Sequence, residues 1–336
     1  HVYIVWEDYA EAGRTNFMFA VSTDGGSTWG TNRRIYTSNV NTFRDYWEAD
    51  SRLSCGYSIP AQPNRKILTI GSMDVDRSPA SAHEGRIYIS FTDQADLDGH
   101  RETSHANTDV FVMASDTEGT TWNALGGALS SPLAPLAADA RLIRVTDDHG
   151  ANASQFMSWL AVDQSTGKVA VSWYDARNDT NAGGAGDTDT DDVPNDEIQH
   201  FAAVSSDGGV SFAENVQVSD GASNALRAEP NEFLEYNGLA FVNGMVHMAW
   251  ADNSNSTGGN SFRTNEVYYD RMDASLAFRG LAGTGSAVTG PSSPRQALSG
   301  TLTIPGFVEL SGDFTVEEIT TATGTITKYG AVNGRT

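Results

Sequence analysis

Short stretches in which apolar side chains cluster or alternate with small polar ones recur along the chain, each bounded by Gly, Asn, Asp, Ser or Thr. Periodicity of 3.6 residues is nearly absent, so the pattern predicts short β-strands joined by tight turns and almost no helix. Four strands share one form, ending in an aromatic side chain, one further residue and an Asp. They are Val2–Asp8 (VYIVWED), Ile87–Asp93 (IYISFTD), Val169–Asp175 (VAVSWYD) and Val246–Asp252 (VHMAWAD). Their closing aspartates lie 85, 82 and 77 residues apart, which marks one repeated structural unit. A further strand follows each copy, at Phe17–Val21, Val110–Ala114, His200–Val204 and Glu266–Tyr269, and most units continue into a fourth. Hairpin partners precede the last two copies. Trp159–Val162 turns through Gln164-Ser165-Thr166-Gly167, and Leu239–Val242 turns at Asn243-Gly244, where both residues accept positive φ.

A repeated unit of four antiparallel strands is the blade of a β-propeller, and the predicted fold class is all-β. The turn after the third strand carries a second motif, S-x-D-x-G-x-T-W. Residues 22–29 fit it at every fixed position through Ser22, Asp24, Gly26, Thr28 and Trp29. Residues 115–122 keep Ser115, Gly119 and Trp122 but place Thr117 where Asp belongs. Residues 205–212 keep Ser205, Asp207 and Gly209, with Ser211 for Thr and Phe212 for Trp; the fourth unit has lost the motif around Asp270-Arg271. The expected role is structural. Asp accepts the turn's own amides, Gly supplies the left-handed conformation, and the aromatic tucks between blades.

These motifs resemble the Asp-box, or bacterial-neuraminidase-repeat, propeller of sialidases and sialidase-like secreted proteins, over roughly residues 1–282. In that family the active face lies opposite the boxes, so the resemblance places function in the loops that follow Asp8, Asp93, Asp175 and Asp252. Three full blades and most of a fourth are visible, the first lacking its innermost strand. Family rings usually have six or more blades of about 80 residues, more than this chain holds. Either blades lie outside it, or a small ring closes with a strand from the C-terminal tail; a fragment of a longer protein is the favoured expectation. Domain boundaries are expected at 1–281 for the propeller, 282–296 for a Thr-, Ser-, Gly- and Pro-bearing linker, and 297–336 for a β-rich segment that opens a further module.

Charge narrows the partners. The 336 residues carry 43 acidic against 21 basic side chains, a formal net charge of −22, which repels nucleic acid and anionic membrane surfaces. No apolar run reaches the ~18 residues of a membrane helix. The chain opens inside a strand pattern, so the absence of a leader says nothing about export. A single cysteine, Cys55, permits no internal disulfide and reads as a small buried hydrophobe.

The loop after Asp175 is the richest in chemistry. Asp187, Asp189, Asp191, Asp192, Asn195 and Asp196 supply oxygen donors spaced for a hard cation such as calcium, or else form a solvated acidic loop. No organic cofactor is expected. By resemblance, a working sialidase would show three arginines, a Tyr–Glu nucleophile pair and an Asp acid–base. Tyr57-Ser58-Ile59-Pro60 is the nearest match to the first-arginine motif, with Ser58 where Arg belongs. Arg177 and Arg227 are candidate carboxylate clamps, and Asp175 is a candidate carboxylate. Glu235-Tyr236 is an adjacent pair whose side chains would point to opposite faces of a strand. His100 and His105 match no known metal spacing, and His1 would bind copper only as a genuine processed N-terminus. Tyr9, Tyr46-Trp47 and Tyr174 are candidates for stacking on sugar rings.

Together these features predict a secreted or surface-exposed bacterial propeller that binds extracellular glycan or a surface protein without catalysis, rigidified by calcium. The alternative is a glycoside hydrolase of sialidase type, or a polysaccharide lyase on a related propeller.

Overall fold

The computed structural model describes residues 1–9, 15–40, 57–95, 107–122, 142–148, 153–180, 193, 195–227, 233, 237–254, 265–274, 296–304, 308–321 and 324–335. Blade one consists of β1 (Val2–Asp8), β2 (Asn16–Ser22) and β3 (Arg33–Thr37), in that order across the sheet. A hairpin of β4 (Tyr57–Ile59) and β5 (Gln62–Ile67) follows. Blade two is β6 (Ile70–Val75), β7 (Ile87–Asp93), β8 (Asp109–Ser115) and β9 (Ile143–Arg144). Blade three is β10 (Gln155–Val162), β11 (Val169–Asp175), β12 (Glu197–Ser205) and β13 (Val216–Gln217), with β14 (Ser223–Asn224) paired to the start of β12. Blade four is β15 (Gly238–Val242), β16 (Met245–Asp252) and β17 (Glu266–Asp273). A last sheet of β18 (Gln296–Ile304), β19 (Val308–Thr321) and β20 (Gly324–Arg335) follows, with β20 running beside β17.

The four strands that end in aromatic-x-Asp are β1, β7, β11 and β16; β7, β11 and β16 are second in their sheets, whereas β1 is first in the three-stranded sheet of blade one. Each blade has an incoming face toward the preceding blade and an outgoing face toward the next, because alternate side chains of a strand point opposite ways. Between blades one and two, Phe17 and Phe19 meet Ile87, Ile89 and Phe91, with Phe17 edge-on to Phe91 at 5.3 Å. Between blades two and three, Tyr88, Val110 and Val112 meet Val169, Val171 and Trp173. Between blades three and four, Ala170, Tyr174 and Ala202 meet Val246, Met248 and Trp250. Blades two and three are covered on both sides, so β7 and β11 are buried at every position and read as continuous apolar runs.

Innermost strands lie side by side, β10 against β6 on one side and β15 on the other. Val162 donates its amide to Asp74 Oδ2 (2.9 Å), and Gln164 Nε2 donates to the Val75 carbonyl (3.0 Å). The β15–β16 hairpin turns at Asn243 and Gly244, with φ of 51° and 78°, as the Asn-Gly signal predicts. Asp163, in the β10–β11 turn, accepts Ser165 Oγ (2.8 Å) and Thr166 Oγ1 (2.9 Å) from its own turn. It also accepts the amides of Asn243 (3.2 Å) and Gly244 (2.9 Å) from the next blade.

Hairpin β4–β5 stands outside the repeat. Ile59 and Ile67 are buried in the layer that holds Phe156 and Tyr174, whereas Ser58 is exposed. The Tyr57–Pro60 stretch is therefore a packing element, held through Ile59.

Candidate functional site

The boxes form one rim of the blades. In the first, Asp24 Oδ1 accepts Ser22 Oγ (2.7 Å) and the Thr28 amide (2.8 Å), Oδ2 accepts Thr28 Oγ1 (2.6 Å), and Ser22 Oγ receives the Gly26 amide (2.8 Å). Thr28 above all holds the Asp24 carboxyl down to about 2. Ser205, Asp207, Gly209 and Ser211 repeat the same bonds. In the second box the Thr117 hydroxyl replaces the carboxylate, accepting the Thr121 amide (2.8 Å) and pairing with Thr121 Oγ1 (2.7 Å), while Ser115 Oγ receives the Gly119 amide (2.9 Å). Trp122 is 3% exposed and sits edge-on to Phe19 of blade one at 5.1 Å; Phe212 packs onto the next layer. Trp29 departs from the expected tuck. It is 45% exposed, because box aromatics insert toward the preceding blade and none of the described residues lies before blade one.

At the opposite rim, aromatic-x-Asp is a bonded pair in copies three and four. Trp173 Nε1 donates to Asp175 Oδ2 (2.8 Å), and Trp250 Nε1 donates to Asp252 Oδ2 (3.0 Å). Copy two has Phe91 and no indole N–H; Asp93 there accepts Tyr36 Oη (2.6 Å), Ser38 Oγ (2.9 Å) and the Asn39 amide (2.9 Å) from the exit of blade one. Burial raises the Asp93 and Asp252 carboxyls against these bonds.

Asp175 anchors the densest polar cluster. Arg177 Nε donates to Asp175 Oδ2 (2.9 Å), Nη1 to Asp147, and Nη2 to Asn215 Oδ1 (2.8 Å), and the guanidinium lies 4.7 Å over the Phe201 ring. Burial disfavours the Arg177 charge, but Asp175 and its neighbours outweigh that and raise the pKa. Asp148 lies 3.6 Å from Arg177 Nη2 and accepts Gln155 Nε2 (2.8 Å). Burial, reinforced by Asp175, pushes the Asp148 carboxyl up to about 6.

Arg227 lies elsewhere, in a 3₁₀ turn at Ala225–Arg227, 3.6 Å from Glu197 Oε1. Beside it are the two ends of the acidic loop. Asp179, Asp196 and Glu197 are buried, and Asp179 Oδ2 accepts the amides of Asp196 (2.8 Å) and Glu197 (2.9 Å). Asn195 adopts φ 67° there, and Asp196 Oδ1 accepts Asn224 Nδ2 (3.3 Å). Asp187, Asp189, Asp191 and Asp192 lie outside the described residues, as do Cys55, Glu235-Tyr236, His100, His105 and Tyr46-Trp47. Among the described residues no group of three or more His, Cys, Asp or Glu is arranged to hold a metal ion, and no helix is long and apolar enough to cross a membrane. His1 pairs with Glu118 at 3.0 Å. Tyr174 is fully buried and donates its hydroxyl to the Ala251 carbonyl (3.2 Å), which removes it as a stacking platform.

Sequence reasoning missed Asp148 and Asn215, which reach Arg177 from distant segments, and Gln155, which donates to Asp148 and Asp175. It also missed His200, which is buried, stacked on Trp250 at 4.7 Å, and held down to about 3 by desolvation. Alternation along β12, with His200 opposite Tyr174, is the one signal that could have placed it inward.

No family model and no curated protein matches the chain. Solved structures similar to it include a Hadza microbial sialidase (12% identity, TM-score 0.37, 95% of this chain and 50% of that one). An intramolecular trans-sialidase from Ruminococcus gnavus is similar at 12% identity and TM-score 0.33, over 95% of this chain and 50% of that one. The NanB sialidase from Streptococcus pneumoniae is similar at 9% identity and TM-score 0.38, over 99% of this chain and 61% of that one. The chain thus spans about half the length of the first two, and at these identities and TM-scores the likenesses assign it no activity.

Proposed function

We propose that the chain is an extracellular propeller module that binds glycan or a surface protein through the rim opposite its boxes, without catalysis. One observation carries this reading. Each nitrogen of the Arg177 guanidinium donates to a side chain of the protein itself, so the arginine best placed to grip a substrate carboxylate is spent on holding loops together. A formal charge of −22 disfavours nucleic acid as the alternative polymer. The test is a glycan array read beside a hydrolysis screen of sialosides and acidic polysaccharides. Binding without turnover supports the module; turnover that Arg177→Ala abolishes overturns it.

Calcium belongs to the same reading, held by Asp187, Asp189, Asp191, Asp192, Asn195 and Asp196. The buried carboxylates of Asp179, Asp196 and Glu197 concentrate negative charge where that loop begins and ends, which supports the reading. Chelation should lower the melting temperature and added calcium restore it; an unchanged melt removes the metal.

The second reading, a glycoside hydrolase, is favoured by Asp148, whose carboxyl at about 6 suits a general acid near neutral pH. If so, turnover would fall as pH rises through that value, and Asp148→Asn would abolish it.

A further inference from the structure

Two blades carry an aspartate immediately after their innermost strand, Asp76 after β6 and Asp163 after β10, and the two are provided for very differently. Asp163 accepts the Ser165 amide (3.0 Å) and hydroxyl (2.8 Å), the Thr166 hydroxyl (2.9 Å), and the amides of Asn243 (3.2 Å) and Gly244 (2.9 Å). Asp76 is 0% exposed, yet its side chain accepts only the Ser78 amide, at Oδ1 (2.8 Å), and Oδ2 has no hydrogen-bond partner among the described residues. A carboxylate taken out of water needs a counter-charge or several donors. The arginines of the same turn are engaged elsewhere. Arg86 donates Nε and Nη2 to Asp116 (2.7 and 2.8 Å) and Nη1 to the Gly208 carbonyl (2.8 Å), and Arg77 Nη1 pairs with Asp74 (3.3 Å).

Two more buried oxygens at this junction are open. Ser78 and Tyr88 are 0% exposed, and neither Ser78 Oγ nor Tyr88 Oη has a hydrogen-bond partner among the described residues. The backbone gathers the three groups. The Asp76 amide donates to the Arg86 carbonyl (2.9 Å), so Asp76 lies across the β6–β7 connection from Arg86, and Tyr88, two residues further on, faces the same side. Tyr88 lies in the layer with Val162 and Val169 of blade three. The same neighbour bounds Asp76, because a Cβ on Gly167, in the β10–β11 turn at φ 74°, would stand 2.9 Å from Asp76 Oδ2. Burial raises the Tyr88 phenol, and the nearby Asp76 charge adds to that, so Tyr88 stays a neutral hydroxyl.

We propose that Asp76 Oδ2, Ser78 Oγ and Tyr88 Oη hold one monovalent cation of the sodium class where blade two meets the β10–β11 turn of blade three. All three ligands are hard oxygens, the kind such an ion takes. One carboxylate and two neutral hydroxyls supply a single negative charge, which a monovalent ion balances, whereas calcium draws on more oxygens and more charge. The ion gives Asp76 the compensation that Asp163 receives from amides and hydroxyls of its own turn and of the next blade. The site lies at the box rim, so it depends neither on what the opposite rim binds nor on calcium in the loop after Asp175.

Thermal melts of the full chain in sodium chloride and in choline chloride, at equal ionic strength, test this. Sodium should raise the melting temperature by a few degrees, saturably with concentration, and a calcium chelator should leave that difference intact. Sodium NMR gives a direct reading, since exchange with the site broadens the line of the free ion. Asp76→Asn keeps an acceptor for the Ser78 amide and should abolish both the sodium-specific shift and the broadening. Tyr88→Phe should weaken sodium binding by about tenfold in Kd. Circular dichroism establishes that each variant is folded, and Ser78→Ala replaces Asp76→Asn if the latter is not. Equal melts in the two salts overturn the proposal, because water or a proton then satisfies Asp76. So does a sodium-specific shift or broadening that survives Asp76→Asn, which places the ion elsewhere.

Discussion

At the box rim, Asp24 and Asp207 bond to hydroxyls and amides no more than four residues away, in the open, and their carboxyls are lowered. At the opposite rim, Asp93 bonds to Tyr36, Ser38 and Asn39, more than 50 residues away and buried, and its carboxyl is raised. The same residue type and the same donors thus do two jobs. One closes a turn that could form alone, and the other ties two blades together and exists only in the assembled array. Acid should affect them oppositely. A lowered carboxyl contributes stability above its unfolded pKa and loses it as pH falls, whereas a raised one contributes below its unfolded pKa and loses it as pH rises.

The largest effect expected on this contrast is from Asp93→Ala, which strands the Tyr36 and Ser38 hydroxyls and several amides in a dry interior. It should cost about 4–5 kcal/mol in urea denaturation; a cost no greater than that of Asp207→Ala would erase the distinction. Next is the pH response of the core behind the loop rim. His200 titrates at about 3 when folded and near ~6.5 when unfolded. The unfolded chain therefore takes up a proton that the folded one refuses, and stability should fall by roughly 3–4 kcal/mol as pH drops from ~6.5 to ~3. His200→Phe should flatten that slope while keeping the stack on Trp250. A slope that persists in the variant assigns the acid lability elsewhere.

Trp250→Phe sharpens the comparison further by giving copy four the Phe that copy two carries naturally. Asp252 loses its indole donor and no Tyr36 equivalent replaces it, so a loss of about 1–2 kcal/mol is expected in thermal melts. At the box rim, Asp207→Ala should cost only about 1 kcal/mol, since water can reach the freed donors. Smallest of all is Thr117→Asp, which restores the box consensus beside Asp116 and should shift stability by under ~0.5 kcal/mol in either direction.

This division also explains what could be read from sequence. Strands β1, β7, β11 and β16, the Asn243-Gly244 hairpin and the boxes were all legible, because each is specified by residues that are neighbours along the chain. Trp29 was misplaced because the aromatic that closes a box, Trp29 or Trp122, is exposed or buried according to whether another blade lies against it. Arg177 was recognised as a notable loop residue, but its engagement was not legible, since Asp147 and Asn215 lie 30 and 38 residues away. The short β4–β5 hairpin escaped notice for a related reason. Its strands carry no repeat motif and are held by Ile59 and Ile67 in a layer built by distant segments.

Asp163 gives the array a direction in time. Its carboxylate is already organised by Ser165 and Thr166 of its own turn before it meets the amides of Asn243 and Gly244. A chain emerging from the ribosome N-terminus first therefore exposes a finished acceptor about 80 residues ahead of the hairpin that will fill it. Each new blade can nucleate on the one before, so growth is templated from one end, and an error in an early blade is passed to all those that follow.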